Sequence, residues 1–522
     1  MSRVAHPLLP GTYPDPSICR VGADYWLVTS TFEYVPGLPV LHSRDLAHWT
    51  QVGHVVERAG MLDLEGIGSS GGLYAPTIRH HDGLFWVVCT LVDRDDPGRG
   101  GNFVVTATDP AGPWSDPVWL DAAGIDPSIA FDADGRAWVH GTRLVAEPEW
   151  PQQTEVWLRE LDRETLRLVG PEHVLWTGAV RGAVWAEGPH LLEKDGRWYL
   201  VAAEGGTELH HAVAVARADH VTGPYEGYAG NPVLTHRHLG RGAGVVGVGH
   251  ADLVEAADGS WWAVVLGSRP YGGLHTNLGR ETFLVPVSWE DGWPVLAPGV
   301  GRVTDDVEVP FADPAARAGV PQVVPSGPVL PGDPRWTALR APVGSVATPD
   351  GGGWRLPVRA ATPAEPTTPA FLGVRQQHRD VDVRAVLGIA GLADGERAGL
   401  VVRQSEADHV TLTATPTGDA VLVRAVHRRG GVETVLGEAA RPAADALTLG
   451  LRVRGQRYAL VVEEGERVTA VAVADGSTLD SMATGGFVGL WLGVVATSDG
   501  RPTSSVVEVR AFEYHPREVL EG

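Results

Sequence analysis

One pattern recurs five times in the first 270 residues and limits the folds open to this chain. A short aromatic and β-branched run appears each time: DYWLVTS (24–30), LFWVVCT (84–90), RAWVHGT (136–142), RWYLVAA (197–203) and SWWAVVL (260–266). In the last four a DG turn stands just ahead of the run. With Trp26, Trp86, Trp138, Trp198 and Trp262 as markers, the intervals are 60, 52, 60 and 64 residues. A period of that size suits one four-stranded blade with its loops, so five repeats imply a five-bladed β-propeller. Three units carry a downstream echo, HSRDLAHWTQVG (42–53), TATDPAGPWSDPVWL (106–120) and ARADHVTGPYEGYAGNPVL (216–234). These read as outer strands, with Asp45 and Asp109 opening turns.

Counting back from each marker locates a second repeat. Eleven residues before Trp26 lies Asp15 in YPDPSI, twelve before Trp138 lies Asp126 in GIDPSIAF, and eleven before Trp198 lies Glu187 in WAEGPHLL. The matching places in units two and five are Ala75 and His250. The first strand of a propeller blade lines the central axis, so equivalent positions on these strands are expected to converge. Three carboxylates and a histidine would then meet at the mouth of the channel.

Carboxylates gathered in a partly dry cavity repel one another, which raises the pKa of at least one. Cleavage of a glycosidic bond uses that arrangement: one protonated carboxyl donates to the leaving oxygen while an ionised one activates water. An Asp before Pro often merely caps a turn. That explains one DPS, but not two DPS copies and an EGP at matched repeat positions.

The charge balance narrows the partners. Acidic residues outnumber basic ones by 64 to 42, a formal charge of -22, which disfavours nucleic acid and anionic membrane as ligands. The chain has no run of about 18 apolar residues such as would cross a bilayer. The start of the chain, MSRVAHPLLPGTYPDP, shows no export signal, so an intracellular, cytoplasmic protein is expected. Cys19 and Cys89 cannot make a disulfide framework and are expected as buried thiols. HExxH, CxxC pairs and EF-hand loops are absent, and acid–base chemistry needs no redox cofactor or nucleotide.

The chain resembles glycoside hydrolase family 43, the β-xylosidases and α-L-arabinofuranosidases. The carrying stretches include PGTYPDPSICRVGADYWLVTSTFEYVPGLPVLHSRDLAHWTQVG, IDPSIAFD, EGPHLLEKDGRWYLVAAEGGT, GHADLVEAADGSWWAVVLGSRP and NLGRETFLVPVSWEDGWPVL, running from about Pro7 to Pro298. The resemblance implies an inverting enzyme in which Asp15 is the general base, Glu187 the general acid, and Asp126 the group that tunes and orients the acid. Inversion implies a base–acid gap of roughly 6.5–9.5 Å with water between. It further implies Arg280 beside the pocket, Phe32 next to the terminal sugar, and Tyr74 where relatives often carry Trp. Trp150 is a candidate platform for a second sugar. His250 is a candidate ligand for a structural calcium ion in the channel, although a lone histidine is more often a hydrogen-bonded core residue. Relatives are often dimers or tetramers, so a homo-oligomer is a candidate state.

After WEDGWPVLAPGVGR the composition shifts. Residues 1–304 read as the propeller, 305–335 as a proline-rich linker without strand alternation, and 336–522 as a β-sandwich. The sandwich rests on short runs such as DVDVRAVLGI, HVTLTATPT, RYALVVEE and FVGLWLGVVAT. The resemblance gives it a concanavalin-like jelly-roll form, sometimes lending a loop to the pocket rim. The loop at 491–500 is a candidate for that role, but a purely stabilising domain is the expectation. The function expected is exo-release of terminal β-D-xylosyl or α-L-arabinofuranosyl units from short oligosaccharides. The alternatives are a mainly arabinofuranosidase activity, or a carbohydrate-binding propeller without catalysis.

Overall fold

The structure, a computed structural model, describes residues 2–312 and 326–517. The part of the expected linker at 313–325 lies outside the described residues. Nearly every element is β. Helix among the described residues is confined to single turns, such as Val343–Val346 and Ser481–Thr484, and none is long and apolar enough to cross a membrane.

Five sheets follow one another along the first 296 residues. Their inner strands are Ser17–Val21, Thr77–His81, Ile125–Phe131, Glu187–Lys194 and Val246–Glu255. The aromatic runs form the second strands: Asp24–Val28, Leu84–Val92, Ala137–Leu144, Arg197–Glu204 and Trp261–Ser268. Each run is buried on both faces, between its own inner strand and the neighbouring sheets, which is why it alternates so little. The turn role of Asp45 and Asp109 holds: Asp45 Oδ1 accepts from the Ala47 and His48 N–H groups, and Asp109 Oδ1 from that of Ala111.

The inner strands are tied into a ring. The Ile78 N–H donates to Ser17 Oγ at 3.1 Å, Thr77 Oγ1 donates to the Pro127 carbonyl at 3.1 Å, and Ser128 Oγ lies 3.2 Å from His190 Nδ1. His190 stands 3.9 Å from Asp252 on the fifth sheet. Asp252 returns to the first sheet by accepting from Ser17 Oγ at 2.8 Å and the Ile18 N–H at 3.0 Å. Arg79 grips both Asp252 oxygens, at 2.8 and 3.0 Å. Burial pushes the Asp252 carboxyl up, but Arg79 and His190 outweigh it and hold it at about 2. A buried, charge-assisted hub therefore sits on the axis just below the start of the strands.

Register corrects one sequence expectation. Trp26 faces Cys19, Trp86 faces Arg79, Trp138 faces Ala130 and Trp262 faces Val254; in the fourth sheet the equivalent pair is Tyr199 and Leu192. The fourth marker is Tyr199 rather than Trp198. The residue equivalent to Asp15, Ala75, Asp126 and His250 is therefore Gly188, and Glu187 stands one place ahead of it. Two adjacent aromatic residues in RWYLV hid the one-residue slip.

The second half forms two stacked sheets. One follows the order Thr348–Asp350, Gly353–Pro357, Val506–Pro516, Asp380–Gly388, Ala446–Arg454, Arg457–Glu464, Arg467–Asp475, with Gly327–Pro328 also on Val506–Pro516. The other runs Ala370–Arg375, Trp491–Thr497, Arg397–Arg403, His409–Thr417, Ala420–Arg429, Val432–Pro442. Alternate side chains from both, among them Val383, Leu400, Leu412, Leu451 and Phe512, make one large apolar core. Residues 306–309, read as linker, instead form a strand paired with Ser2–Ala5. The two halves are docked closely. Tyr34–Val35 pairs with Ala338–Leu339, and the Tyr34 ring stacks on Trp491 at 3.6 Å.

Candidate active site

Strand geometry at the axis aims the side chains. Asp15, Asp126 and His250 take φ values of 57°, 52° and 45°, a left-handed conformation that non-glycine residues seldom adopt. The ladder register breaks around Asp126, Gly188 and His250, so the chain bulges there and turns these positions toward the channel mouth. Gly188 has the same left-handed φ, 55°, and a Cβ there would lie 2.7 Å from the His250 ring. The glycine makes room for the histidine. The position just ahead of this ring holds Tyr74, Ile125 and Glu187 in blades two to four. Asp15 and Asp126 therefore reach the cavity from one ring of positions, and Glu187 from the next.

The cavity is small, about 70 Å³, and is lined by Asp15, Asp126, Glu187, His250, Arg280 and His211 on its polar side. Asp15 accepts from Ser30 Oγ at 2.5 Å and from Arg280 Nη1 at 2.8 Å, and His250 Nδ1 lies 3.7 Å away. Burial pushes the Asp15 carboxyl up, yet Arg280, His250 and the Ser30 hydroxyl together outweigh it and hold it below the ordinary carboxylate value. Glu187 goes the other way. Burial, then the charges of Asp126 and Asp15, push its carboxyl well above the usual range. Asp126 is raised to about 6 by burial and by Asp15, even though the Gly188 N–H donates to it at 3.1 Å. His211 is pushed down to about 3, chiefly by burial, and stays neutral. One carboxyl in the pocket is biased toward its ionised form and another toward its protonated form.

An aromatic wall closes the other side. Phe32 and Tyr74 meet edge to face at 5.4 Å, and Phe487 lies 5.9 Å from each. Arg280 lies over Phe32 at 5.6 Å and over Phe487 at 5.5 Å. Phe487 belongs to the second half of the chain, so that half is more than a brace. The contributor is also not the loop at 491–500, where Trp491 is spent on the domain contact. In FVGLWLGVVAT the strand begins only at Trp491, because Gly489 is pressed against Leu278 and Gly279 and leads Phe487 out to the cavity.

Trp150 does not line the cavity. Its indole N–H donates to the Ala183 carbonyl at 2.7 Å and so ties down the loop that leads to Glu187. His250, the candidate calcium ligand, stands on the channel beside Asp15. Calcium takes six to eight oxygen donors, Asp15 is committed to Arg280 and Ser30, and no three His, Cys, Asp or Glu side chains among the described residues are grouped to hold a metal. Ser30, Thr207, His211 and Phe487 escaped the sequence reading, and Thr207 Oγ1 accepts from Arg280 at 3.0 Å. Cys19 and Cys89 are free and buried, as expected.

Three carboxyls and an arginine lining one small pocket on a propeller are the equipment of a glycoside hydrolase. Comparison with known proteins places the chain within that class. The sequence model of glycosyl hydrolases family 43 matches residues 4–294, and that of the beta xylosidase C-terminal concanavalin A-like domain matches 332–515. The chain belongs to glycoside hydrolase family 43. It is 38% identical to a xylosidase/arabinosidase of Butyrivibrio fibrisolvens, covering 97% of this chain and 98% of that one. It is 36% identical to a non-reducing end α-L-arabinofuranosidase of Bacteroides ovatus, over 98% of this chain and 94% of the relative. Among solved structures, a xylan β-1,4-xylosidase from Bacillus halodurans superposes with a TM-score of 0.89 at 31% identity, covering 98% of this chain and all of that one.

Proposed function

We propose that the protein is an inverting exo-glycosidase that removes terminal β-D-xylosyl or α-L-arabinofuranosyl units from short oligosaccharides. The observation that carries this reading is the opposite bias on two carboxyls lining one small pocket: Asp15 is held below its ordinary value by Arg280 and its other partners, and Glu187 is pushed above its own by burial, Asp126 and Asp15. Asp15 acts as general base, taking a proton from water as that water attacks the anomeric carbon. Glu187 gives its proton to the departing glycosidic oxygen. Asp126, close enough to raise the Glu187 carboxyl, keeps that proton in place until the leaving oxygen develops charge. Arg280 holds Asp15 through both Nη atoms, at 2.8 and 3.4 Å, and lines the pocket where the sugar would sit. The reaction is one of acid and base and calls on no cofactor. The wall of Phe32, Tyr74 and Phe487 suits the apolar face of one sugar ring, and the names of the two relatives span both sugars.

The test uses p-nitrophenyl β-xyloside and p-nitrophenyl α-L-arabinofuranoside with the wild type and Glu187→Ala. Release from at least one is expected, with a loss of about 10²–10⁴-fold in the variant. Proton NMR of the first product from the β-xyloside should show the α-anomer. No release from either glycoside or from oligosaccharides, or initial retention of configuration, defeats the reading.

A further inference from the structure

Behind the aromatic wall lies a buried ion cluster that the acid–base chemistry does not use. Phe32 is followed directly by Glu33, whose side chain is fully buried. One Glu33 oxygen accepts from Arg403 of the sandwich at 3.1 Å, and the other accepts from the Ser70 N–H at 3.1 Å. Arg403, also fully buried, donates to the Tyr34 hydroxyl at 2.9 Å, to Ser69 Oγ at 2.9 Å and to Glu406 at 2.7 Å. Glu406 accepts in turn from the Ser69 N–H at 3.1 Å and from the Arg340 guanidinium. The Arg340 backbone N–H donates to the Glu33 carbonyl at 2.8 Å.

The same atoms reach every ring of the wall. The Ser70 carbonyl accepts from the Tyr74 hydroxyl at 2.8 Å, and Ser70 Oγ accepts from the Phe487 N–H at 2.8 Å. Phe32 is held at φ 53° by a pair of 3.0 Å hydrogen bonds with Leu73, three residues beyond Ser70. Docking strength alone is a poor account of such a cluster, because the desolvation of a buried ion pair often cancels its attraction. A planar guanidinium with four partners on three segments fixes relative position, which apolar packing does less sharply.

We propose that Arg403 is a positioning residue for the sugar-binding wall. It fixes Glu33 and Ser69 and, through them, the placement of Phe32, Tyr74 and Phe487, so that the C-terminal sandwich sets the affinity for the terminal sugar. The proposal rests on the glycosidase reading of the pocket. The wall meets the sugar in the ground state and the transition state alike, so loosening it raises KM and leaves kcat. A merely structural lesion lowers the active fraction and hence the apparent kcat at constant KM.

Arg403→Lys leaves an ammonium that cannot span four partners, and Glu33→Gln keeps the shape without the charge. Both are made in the full chain beside Phe487→Ala, which trims the wall directly. KM for the aryl glycoside, and the inhibition constant of the free product sugar, are expected to rise about tenfold with kcat within about twofold. Unchanged KM and inhibition constant in the folded variants, whatever happens to kcat or melting temperature, overturn the proposal. If Arg403→Lys does not fold, Glu33→Gln decides. A wild type inactive on both glycosides would instead remove the glycosidase reading, and calorimetric affinities for free xylose and arabinose would still judge Arg403.

Discussion

Replacing Asp126 by Asn removes one of the three carboxyls that line the pocket and keeps its shape. The group titrates at about 6 in the fold, raised first by burial and then by the charge of Asp15, against an ordinary value of 3.8. A carboxyl whose folded pKa is raised stabilises the fold only while protonated. Its contribution is complete below about pH 4, near the unfolded value, and is lost as pH rises through about 6. The shift corresponds to roughly 3 kcal/mol of lost stability once the group is ionised. Asn has no charge to bury, and its Oδ1 can still accept from the Gly188 N–H. The variant should match the wild type near pH 4 and exceed it near pH 7.5, by up to roughly 3 kcal/mol. Urea unfolding followed by tryptophan fluorescence at the two pH values measures the difference. The substitution also takes a negative charge away from Glu187, so the basic limb of the kcat/KM profile should move down by about one pH unit. An equal stability difference at both pH values, or a basic limb that stays or moves up, would refute the electrostatic reasoning.

Two further substitutions probe the same pocket. In Arg280→Met the leading force that lowers the Asp15 carboxyl is gone and burial prevails, so the acid limb of kcat/KM should shift to higher pH, with a loss of about 10²-fold or more at the optimum. An acid limb that stays in place would mean that Arg280 does not set the base. In Gly188→Ala the new methyl meets the His250 ring at 2.7 Å, and overpacking of this kind costs about 1–3 kcal/mol. A drop in melting temperature together with a drop in kcat is expected, since His250 lies 3.7 Å from Asp15. Wild-type values for both would show that the ring has space to move.

Much of the fold could be read from the chain because its repeat is local. Each DG turn and aromatic run builds one hairpin of one blade, and a blade needs only its neighbours to bury its faces. The carboxyls were legible for the same reason: Asp15 and Asp126 each sit at the start of an inner strand, where the repeat brings them together. What failed was finer. Counting on tryptophan placed Glu187 in the same ring as Asp15, whereas hydrogen-bond register puts Gly188 there. Period-2 patterning cannot see a bulge, and a one-residue slip changes which way a side chain points. In the second half, Val432–Pro442 and Arg467–Asp475 went unread because both are largely exposed edge strands without a clean apolar face.

The sequence by itself determined the five-fold repeat, the all-β architecture and the three carboxyls that converge on its axis, because each follows from hydrophobic spacing within one short stretch. Only the tertiary structure decided how those carboxyls differ. Arg280 reaches Asp15 across 265 positions of chain, Phe487 enters from another domain, and Arg403 grips Glu33 from 370 positions away. Proton affinity depends on burial and on charges within a few ångströms, and those distances exist only once remote segments have folded against one another.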